Sequence, residues 1–247
     1  MIDDPLFWFT AVIAVVITGI SKGGFGGLAL LAVPLMALTI SPLQSAGIIL
    51  PILIVMDWVS VWAYRKHWDR NILFLMLPGA IVGIATGTFL AGYLNDQIVL
   101  VCVGAIALIF PLYAVFKPKG RKDVIAGNRP LGFIAGTVAG FTSFVAHAGG
   151  PPFQAYALPQ NLEKRVYAGT AVMFFFVVNF VKILPYAMLG QLDQANLTIS
   201  LILIPLAPIG VLIGVALVKR IDHQTFYRIM YGLIFAVGLK LIWDGLT

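Results

Sequence analysis

The chain has 247 residues, of which 60% are hydrophobic and only 11% are charged. Soluble domains carry about 25% charged residues, and a water-soluble core of this length could not bury so much apolar surface. The composition therefore excludes a soluble globular protein and predicts an integral membrane protein. The net charge of +6 is concentrated in short loops, so it indicates membrane orientation rather than a nucleic-acid-binding surface.

The apolar segments predict α-helices, because most run for about 15–24 residues, whereas a strand of a membrane barrel needs only about 9–11. In chain order the predicted elements span residues 6–21, 25–40, 44–64, 71–93, 98–116, 131–146, 149–158, 166–188, 196–218 and 225–245. Elements 25–40 and 149–158 are too short to cross about 30 Å of hydrocarbon. We predict that they are half-helices or re-entrant limbs, whose backbone must be covered by protein or line a water-filled cavity.

Lysine and arginine residues cluster in alternate loops of the chain. They lie in residues 65–70, 117–129, 164–165 and 219–220, whereas loops 41–42, 95–97 and 190–193 contain none. The positive-inside rule then places the basic loops in the cytoplasm and both chain termini on the outer side of the membrane.

The two halves of the sequence resemble each other. Residues 1–116 form a first membrane repeat and residues 131–247 a second, with a cytoplasmic linker over residues 117–130. The matched pairs include Lys22 with His147, Gly24 with Gly149, Pro34 with Pro159, Asp57 with Asn179 and Tyr64 with Tyr186. Each half has an odd number of elements, so the second half must be inverted. We predict an all-α integral membrane protein with two inverted-topology repeats of about five helical elements each, and with broken or re-entrant helices near the glycine motifs.

Each half contains a glycine-rich interruption beside a basic or titratable residue. The first break is Ser21-Lys22-Gly23-Gly24-Phe25-Gly26-Gly27, and the second break is Ala146-His147-Ala148-Gly149-Gly150-Pro151-Pro152. Glycines let the backbone unwind and expose N–H groups, and the helix that follows points its positive end at the break. With Lys22 alongside, this predicts an anion site, and paired breaks in matching places point to a transporter binding site. The alternative is that Lys22 ends a short helix and extends its ammonium group to the membrane surface.

His147 and Gln154 are further polar candidates near the second break. His147 could donate a hydrogen bond to an anion or titrate during transport, and the alternative is a neutral histidine satisfied by a neighbouring carbonyl group. The residues expected to contact the anion are Ser21, Lys22, Gly23, Gly24, His147, Gly149, Gly150, Gln154, Asn179 and Lys182.

Asp57 is the candidate for ion coupling, because a carboxylate within an apolar helix readily binds a proton or a sodium ion. Its repeat partner Asn179 lies three residues before Lys182, so both side chains share one helix face. Lys182 could pair with Asp57 or act as a second anion ligand. The alternative is an Asp57–Lys182 pair that only holds the helices together.

The sequence contains no metal-ligand spacing, no P-loop and no set of nucleophile, histidine and acid. We therefore expect no metal, no cofactor and no enzymatic activity. The competing hypotheses are an intramembrane enzyme that uses His147 and Asp57, and a non-transporting subunit of a larger membrane complex.

At its glycine motifs the chain resembles the sulfite exporter TauE/SafE family of bacterial membrane transporters. The resemblance rests on residues 19–27 with Pro34, on Gly140 with residues 148–152, on the duplicated halves and on the length, and it covers nearly the whole chain. It implies a secondary transporter in the bacterial cytoplasmic membrane that moves sulfite, sulfoacetate or a related organosulfonate or organic anion by alternating access. A passive anion channel on the same fold is the alternative, and a homodimer is one oligomeric state that the sequence allows.

Overall fold

The described part of the chain is entirely helical. The computed structural model describes residues 4–25, 29, 32–36, 39–40, 42–90, 93, 97, 101, 104–105, 107–109, 111–112 and 127–246. The helices are α1 (Pro5–Lys22), α2 (Ala32–Met36), α3 (Pro42–Tyr64), α4 (Arg70–Leu90), α5 (Arg129–Ala146), α6 (Gly150–Ala157), α7 (Lys164–Met188), α8 (Gln194–Leu203), α9 (Leu206–Arg220) and α10 (His223–Leu246). Single described residues between 97 and 112 are also helical.

Five of the described helices, α1, α3, α4, α7 and α10, are long and apolar enough to cross a membrane. The α8–α9 pair adds a sixth span if its bend of 50° lies within one crossing. Large apolar side chains point outward from these helices, including Phe74, Phe89 and Leu184, as expected where the surrounding solvent is lipid. The chain is thus a multi-pass, all-α membrane protein, as predicted, whereas the inverted-repeat arrangement stays a prediction.

The element predicted over residues 196–218 is present as the bent pair of helices α8 and α9. The break falls at Ile204 and Pro205. Proline has no backbone N–H, and its ring collides with the carbonyl group four residues earlier, so a bend at this place is expected.

The short element predicted over residues 149–158 is confirmed as α6, which has 8 residues and continues into a 3₁₀ turn at Leu158–Gln160. At 1.5 Å per residue, α6 is far too short to cross the hydrocarbon. Of the predicted element over residues 25–40 the structure describes only α2 and a few residues beside it. Residues 117–126 of the predicted linker lie outside the described residues. α5 already begins at Arg129, with the Asn128 side chain as its N-cap.

Glycine residues bring helices from the two halves of the sequence into backbone contact. α1 crosses α9, and a Cβ atom placed on Gly19 would lie 2.7 Å from the Cα atom of Gly210. α4 crosses α5, and a Cβ atom on Gly140 would lie 2.1 Å from the carbonyl oxygen of Ala80. Such close approach is typical of membrane helix interfaces built on small residues. α3 and α7 pack against each other and carry the buried Asp57, Asn179 and Lys182.

Candidate functional site

A cavity lies between the C-terminal ends of α1 and α5 and the helices α3, α6 and α7. It encloses about 790 Å³ of space, including its open mouth. Its polar lining includes Ser21, Lys22, Ser143, His147, Gln154 and Asn179. The remaining wall is largely apolar and aromatic. Residues from both breaks therefore face one shared space.

The first break is held in place by a glycine conformation and a tyrosine. α1 ends at Lys22, and Gly24 follows with a φ of +132°, which side-chain-bearing residues rarely adopt. A Cβ atom on Gly24 would also lie 2.7 Å from Val218. The Tyr64 hydroxyl group donates a 2.6 Å hydrogen bond to the carbonyl oxygen of Gly23. This geometry turns the chain away immediately after Lys22, so that the lysine side chain can face the interior.

Lys22 forms a buried ion pair with Asp57. The Nζ atom of Lys22 lies 2.6 Å from one Asp57 carboxylate oxygen, and the Asn179 side-chain amide donates a 2.7 Å hydrogen bond to the other. Asp57 is completely buried, and the Lys22 side chain is only 10% exposed. The alternative in which Lys22 extends to the membrane surface is therefore wrong. The Asp57–Lys182 pair considered from the sequence is also wrong, since Lys22 takes that position instead.

The second break places Lys182 against the end of α5. His147 caps α5 in the left-handed conformation, with a φ of +51°. The Lys182 Nζ atom lies 3.0 Å from the Ser143 carbonyl oxygen, 3.2 Å from the Ser143 hydroxyl oxygen and 3.1 Å from His147 Nδ1. The Tyr186 hydroxyl group donates to the carbonyl oxygen of Phe144 at 2.9 Å and lies 3.3 Å from His147 Nε2.

These contacts make His147 part of the support for Lys182. Lys182 donates to the two Ser143 oxygens, and its third contact is with His147 Nδ1. The other ring nitrogen of His147 faces the Tyr186 hydroxyl group. His147 thus helps to hold Lys182 in place at the end of α5.

Gln154 is the least satisfied polar side chain of the cavity. It is 1% exposed, and neither its amide nitrogen nor its amide oxygen has a hydrogen-bond partner among the described residues. Buried polar atoms are normally paired, and each unmet donor or acceptor costs about 1–3 kcal/mol. Because Gln154 lines the cavity, its amide group is available to a ligand there.

The backbone at the start of α6 offers few donors. Pro151 and Pro152 have no N–H group, so Gly150 is the only one of the first three residues of α6 that has one. Side chains therefore supply most of the donors on this side of the cavity.

The structure brings together most of the residues predicted from the sequence. Those that line the cavity are Ser21, Lys22, Gly24, His147, Gly150, Gln154 and Asn179. Asp57 and Lys182 lie directly behind this lining and are bonded to it. Gly23 follows the last residue of α1 and Gly149 precedes the first residue of α6, so both lie in the backbone of the breaks. The Ser21 hydroxyl group donates to the carbonyl oxygen of Phe25 at 3.3 Å, within the first break.

The sequence marked Ser143 only as a weaker polar candidate and Tyr64 and Tyr186 only as a matched pair, and it did not predict the contacts that these residues make. Each tyrosine comes from a long helix and donates its hydroxyl proton to a backbone carbonyl group at the end of another helix, α1 for Tyr64 and α5 for Tyr186. The matching positions of the two tyrosines in the two halves were a sign of a shared role. Ser143 had no comparable pattern, because its contact with Lys182 depends on how α5 packs against α7.

Comparison with known proteins identifies a family for the chain. The family model described as sulfite exporter TauE/SafE matches residues 11–241, nearly the whole chain. No curated protein and no solved structure matches it. The match confirms the resemblance that the glycine motifs suggested, and the family consists of membrane transporters rather than enzymes. The chain therefore belongs to the sulfite exporter TauE/SafE family of membrane anion exporters.

Proposed function

We propose that this protein is a secondary transporter that moves sulfite or a related organosulfonate across the bacterial cytoplasmic membrane by alternating access. The family supports anion transport, and the loop charges support an orientation with both termini on the outer side. The substrate, the mechanism and the orientation are our inference.

The observation that carries the proposal is the cavity shared by the two breaks. It combines the ammonium group of Lys22 with the amide group of Gln154, which has no hydrogen-bond partner in the described part of the chain, in a wall that is otherwise mostly apolar. Electrostatic attraction is stronger in such surroundings than in water. A small oxyanion fits this arrangement, because it can accept hydrogen bonds from both donors and carries the charge that the lysine favours.

Lys182 lies behind the cavity wall. Ion pairs among the described residues are Lys22–Asp57 and Lys240–Asp244, and Lys182 belongs to neither. Its contacts with the carbonyl and hydroxyl oxygens of Ser143 fix the end of α5 at the cavity wall. In this proposal Lys22 and Gln154 contact the anion, His147 positions Lys182, and Asp57 binds the coupling ion.

The two helix crossings support alternating access. Each joins one half of the sequence to the other, α1 to α9 and α4 to α5. Contacts between helices of different halves are expected in a protein whose two inverted repeats rock against each other around a binding site between them. The repeat arrangement itself remains a prediction.

The test is binding and transport by the purified protein. Sulfite or a sulfonate should raise the melting temperature of the protein in detergent, because a ligand that binds only the folded state stabilises it. Lys22→Ala should weaken binding by at least about tenfold, the equivalent of one charged hydrogen bond. Lys22→Ala alone leaves the Asp57 carboxylate buried without its cation. The double variant Lys22→Ala/Asp57→Asn also removes the lysine but leaves no unpaired charge, so it tests the loss of the anion ligand alone. Lys240→Ala removes an exposed lysine from the other ion pair and is the matched control.

Unchanged affinity in both Lys22 variants would refute the assignment of the site. Counterflow in proteoliposomes distinguishes a carrier from a channel, since only a carrier exchanges labelled substrate faster when unlabelled substrate is present on the far side. Flux without such acceleration would favour the passive channel.

A further inference from the structure

The ion pair between Lys22 and Asp57 stands where an anion would bind. Lys22 lines the cavity, and one oxygen of the Asp57 carboxylate lies 2.6 Å from its Nζ atom. An anion that takes the free donors of this ammonium group, or displaces Asp57 from it, arrives next to an existing negative charge. Two like charges at this separation repel each other, and the repulsion is stronger in apolar surroundings than in water. That repulsion opposes anion binding while Asp57 is ionised.

The charge balance of the pair shows what removes this repulsion. Lys22 and Asp57 together carry no net charge, and adding a monoanion would leave the group with one net negative charge in apolar surroundings. If Asp57 gains a proton as the anion binds, the carboxylate becomes neutral and Lys22 pairs with the anion. The net charge of the group is then the same before and after binding.

The surroundings of Asp57 favour a proton over a metal cation. Both carboxylate oxygens face N–H donors, one on Lys22 and the other on Asn179. Hard cations require several oxygen ligands, and no group of three metal-binding side chains occurs in the described ranges. A proton needs no further ligand and no additional space.

The basic side chains around Asp57 come from two helices. Lys22 extends from α1 and Lys182 from α7, and both act on Asp57 electrostatically. His147 lies beyond Lys182 and contacts it through Nδ1. Lys182 is bonded to Ser143 and His147, whereas Asp57 is bonded directly to the lysine that faces the anion, so Asp57 is the group that responds to binding.

Building on the proposed function, we propose that Asp57 takes up one proton for each anion that binds at Lys22, so that proton and anion enter and leave the site together. The carboxylate accepts the proton and forms no other bond, and the anion replaces it as the counter-ion of the lysine. A monoanion is then transported without net charge movement.

The experiment measures proton uptake during anion binding to the full-length protein in detergent. The probes are methanesulfonate and sulfate, whose charges do not change near neutral pH, so that every proton taken up is bound by the protein. A pH-indicator dye in weakly buffered solution counts the protons. We expect one proton per bound anion, and an affinity that falls about tenfold for each unit of rising pH while Asp57 is ionised in the empty protein.

Asp57→Asn supplies the second arm, because asparagine has nearly the same shape and cannot take up the proton. It should bind methanesulfonate with no proton uptake and with an affinity independent of pH. Above neutral pH it should bind more tightly than the unmodified protein. Asp244→Asn, which removes the carboxylate of the exposed Lys240 pair, is the matched control and should behave like the unmodified protein.

The outcomes separate this inference from the proposed function. Binding without proton uptake, uptake that persists in Asp57→Asn, or an affinity that requires sodium would overturn the inference and leave anion transport standing. If methanesulfonate, sulfate and sulfite all fail to bind, the proposed function is wrong and the inference falls with it. The proton count of the unmodified protein decides the question even if Asp57→Asn does not fold.

Discussion

Replacing Gln154 with methionine should stabilise the empty protein and weaken anion binding at the same time. Methionine is unbranched and close to glutamine in length, and it needs no hydrogen bonds. Both polar atoms of the Gln154 amide are buried without a partner among the described residues. Each such atom costs about 1–3 kcal/mol, so their removal should raise the free energy of unfolding by an amount in this range or somewhat above it.

The effect on binding has the opposite sign. If the Gln154 amide donates to the anion, Gln154→Met removes a hydrogen bond to a charged group, which is worth about 1.5–3 kcal/mol. That loss corresponds to an affinity about 10- to 150-fold weaker. A gain in stability accompanied by a loss of function is expected where a polar group is kept unpaired for its ligand.

The assay is thermal unfolding in detergent with and without methanesulfonate, together with direct affinity measurement. Gln160→Met is the matched control, because that amide already has both partners. Its oxygen accepts from the Gly127 backbone N–H at 3.1 Å, and its nitrogen donates to the Tyr156 carbonyl oxygen at 3.2 Å. The control should be neutral or destabilising, with unchanged affinity. If Gln154→Met loses as much stability as Gln160→Met, or binds the anion as tightly as the unmodified protein, the argument from the unpaired amide is refuted.

Two further predictions concern the helix crossings and the second break. Gly140→Ala should force α4 and α5 apart, since its Cβ atom would lie 2.1 Å from the Ala80 carbonyl oxygen. We expect a loss of at least about 1–3 kcal/mol in thermal unfolding, whereas Gly232→Ala, which meets nothing within 4 Å, should be neutral or mildly stabilising. Tyr186→Phe should cost about 1–3 kcal/mol, because its hydroxyl proton is donated to the backbone at the end of α5. Tyr186→Phe should also slow transport, because it loosens His147. Tyr93 is 89% exposed, so Tyr93→Phe is the matched control. Equal stability and equal flux in the two tyrosine variants would contradict this role of Tyr186.

Features that depend on a short stretch of chain were predictable from the sequence. The membrane location and the helical class follow from composition and from the length of the apolar segments. The end of α1 beside Lys22 and the short α6 follow from glycine and proline, which act on the backbone at their own positions. The same local signals, with the resemblance to a family, pointed to seven of the residues that line the cavity.

The limits of sequence reasoning appear where two helices meet. Periodicity places Asn179 and Lys182 on one face of α7, and from this the sequence suggested an Asp57–Lys182 pair. In the structure Asn179 bonds to Asp57, while Lys182 lies against Ser143 and the end of α5. Residues three apart on a helix are offset along its axis as well as around it, so each meets a different neighbouring helix.

The sequence by itself thus determined that this is a helical membrane protein with two interrupted segments that carry Lys22 and His147. Hydropathy, glycine and proline act within a few residues, and their effect does not depend on the rest of the fold. Only the tertiary structure decided that Lys22 pairs with Asp57, that His147 supports Lys182 and that Gln154 faces the cavity without a partner among the residues that the structure describes. These relations join residues separated by tens of positions or more, and burial in an apolar interior makes the choice of partner a matter of helix packing.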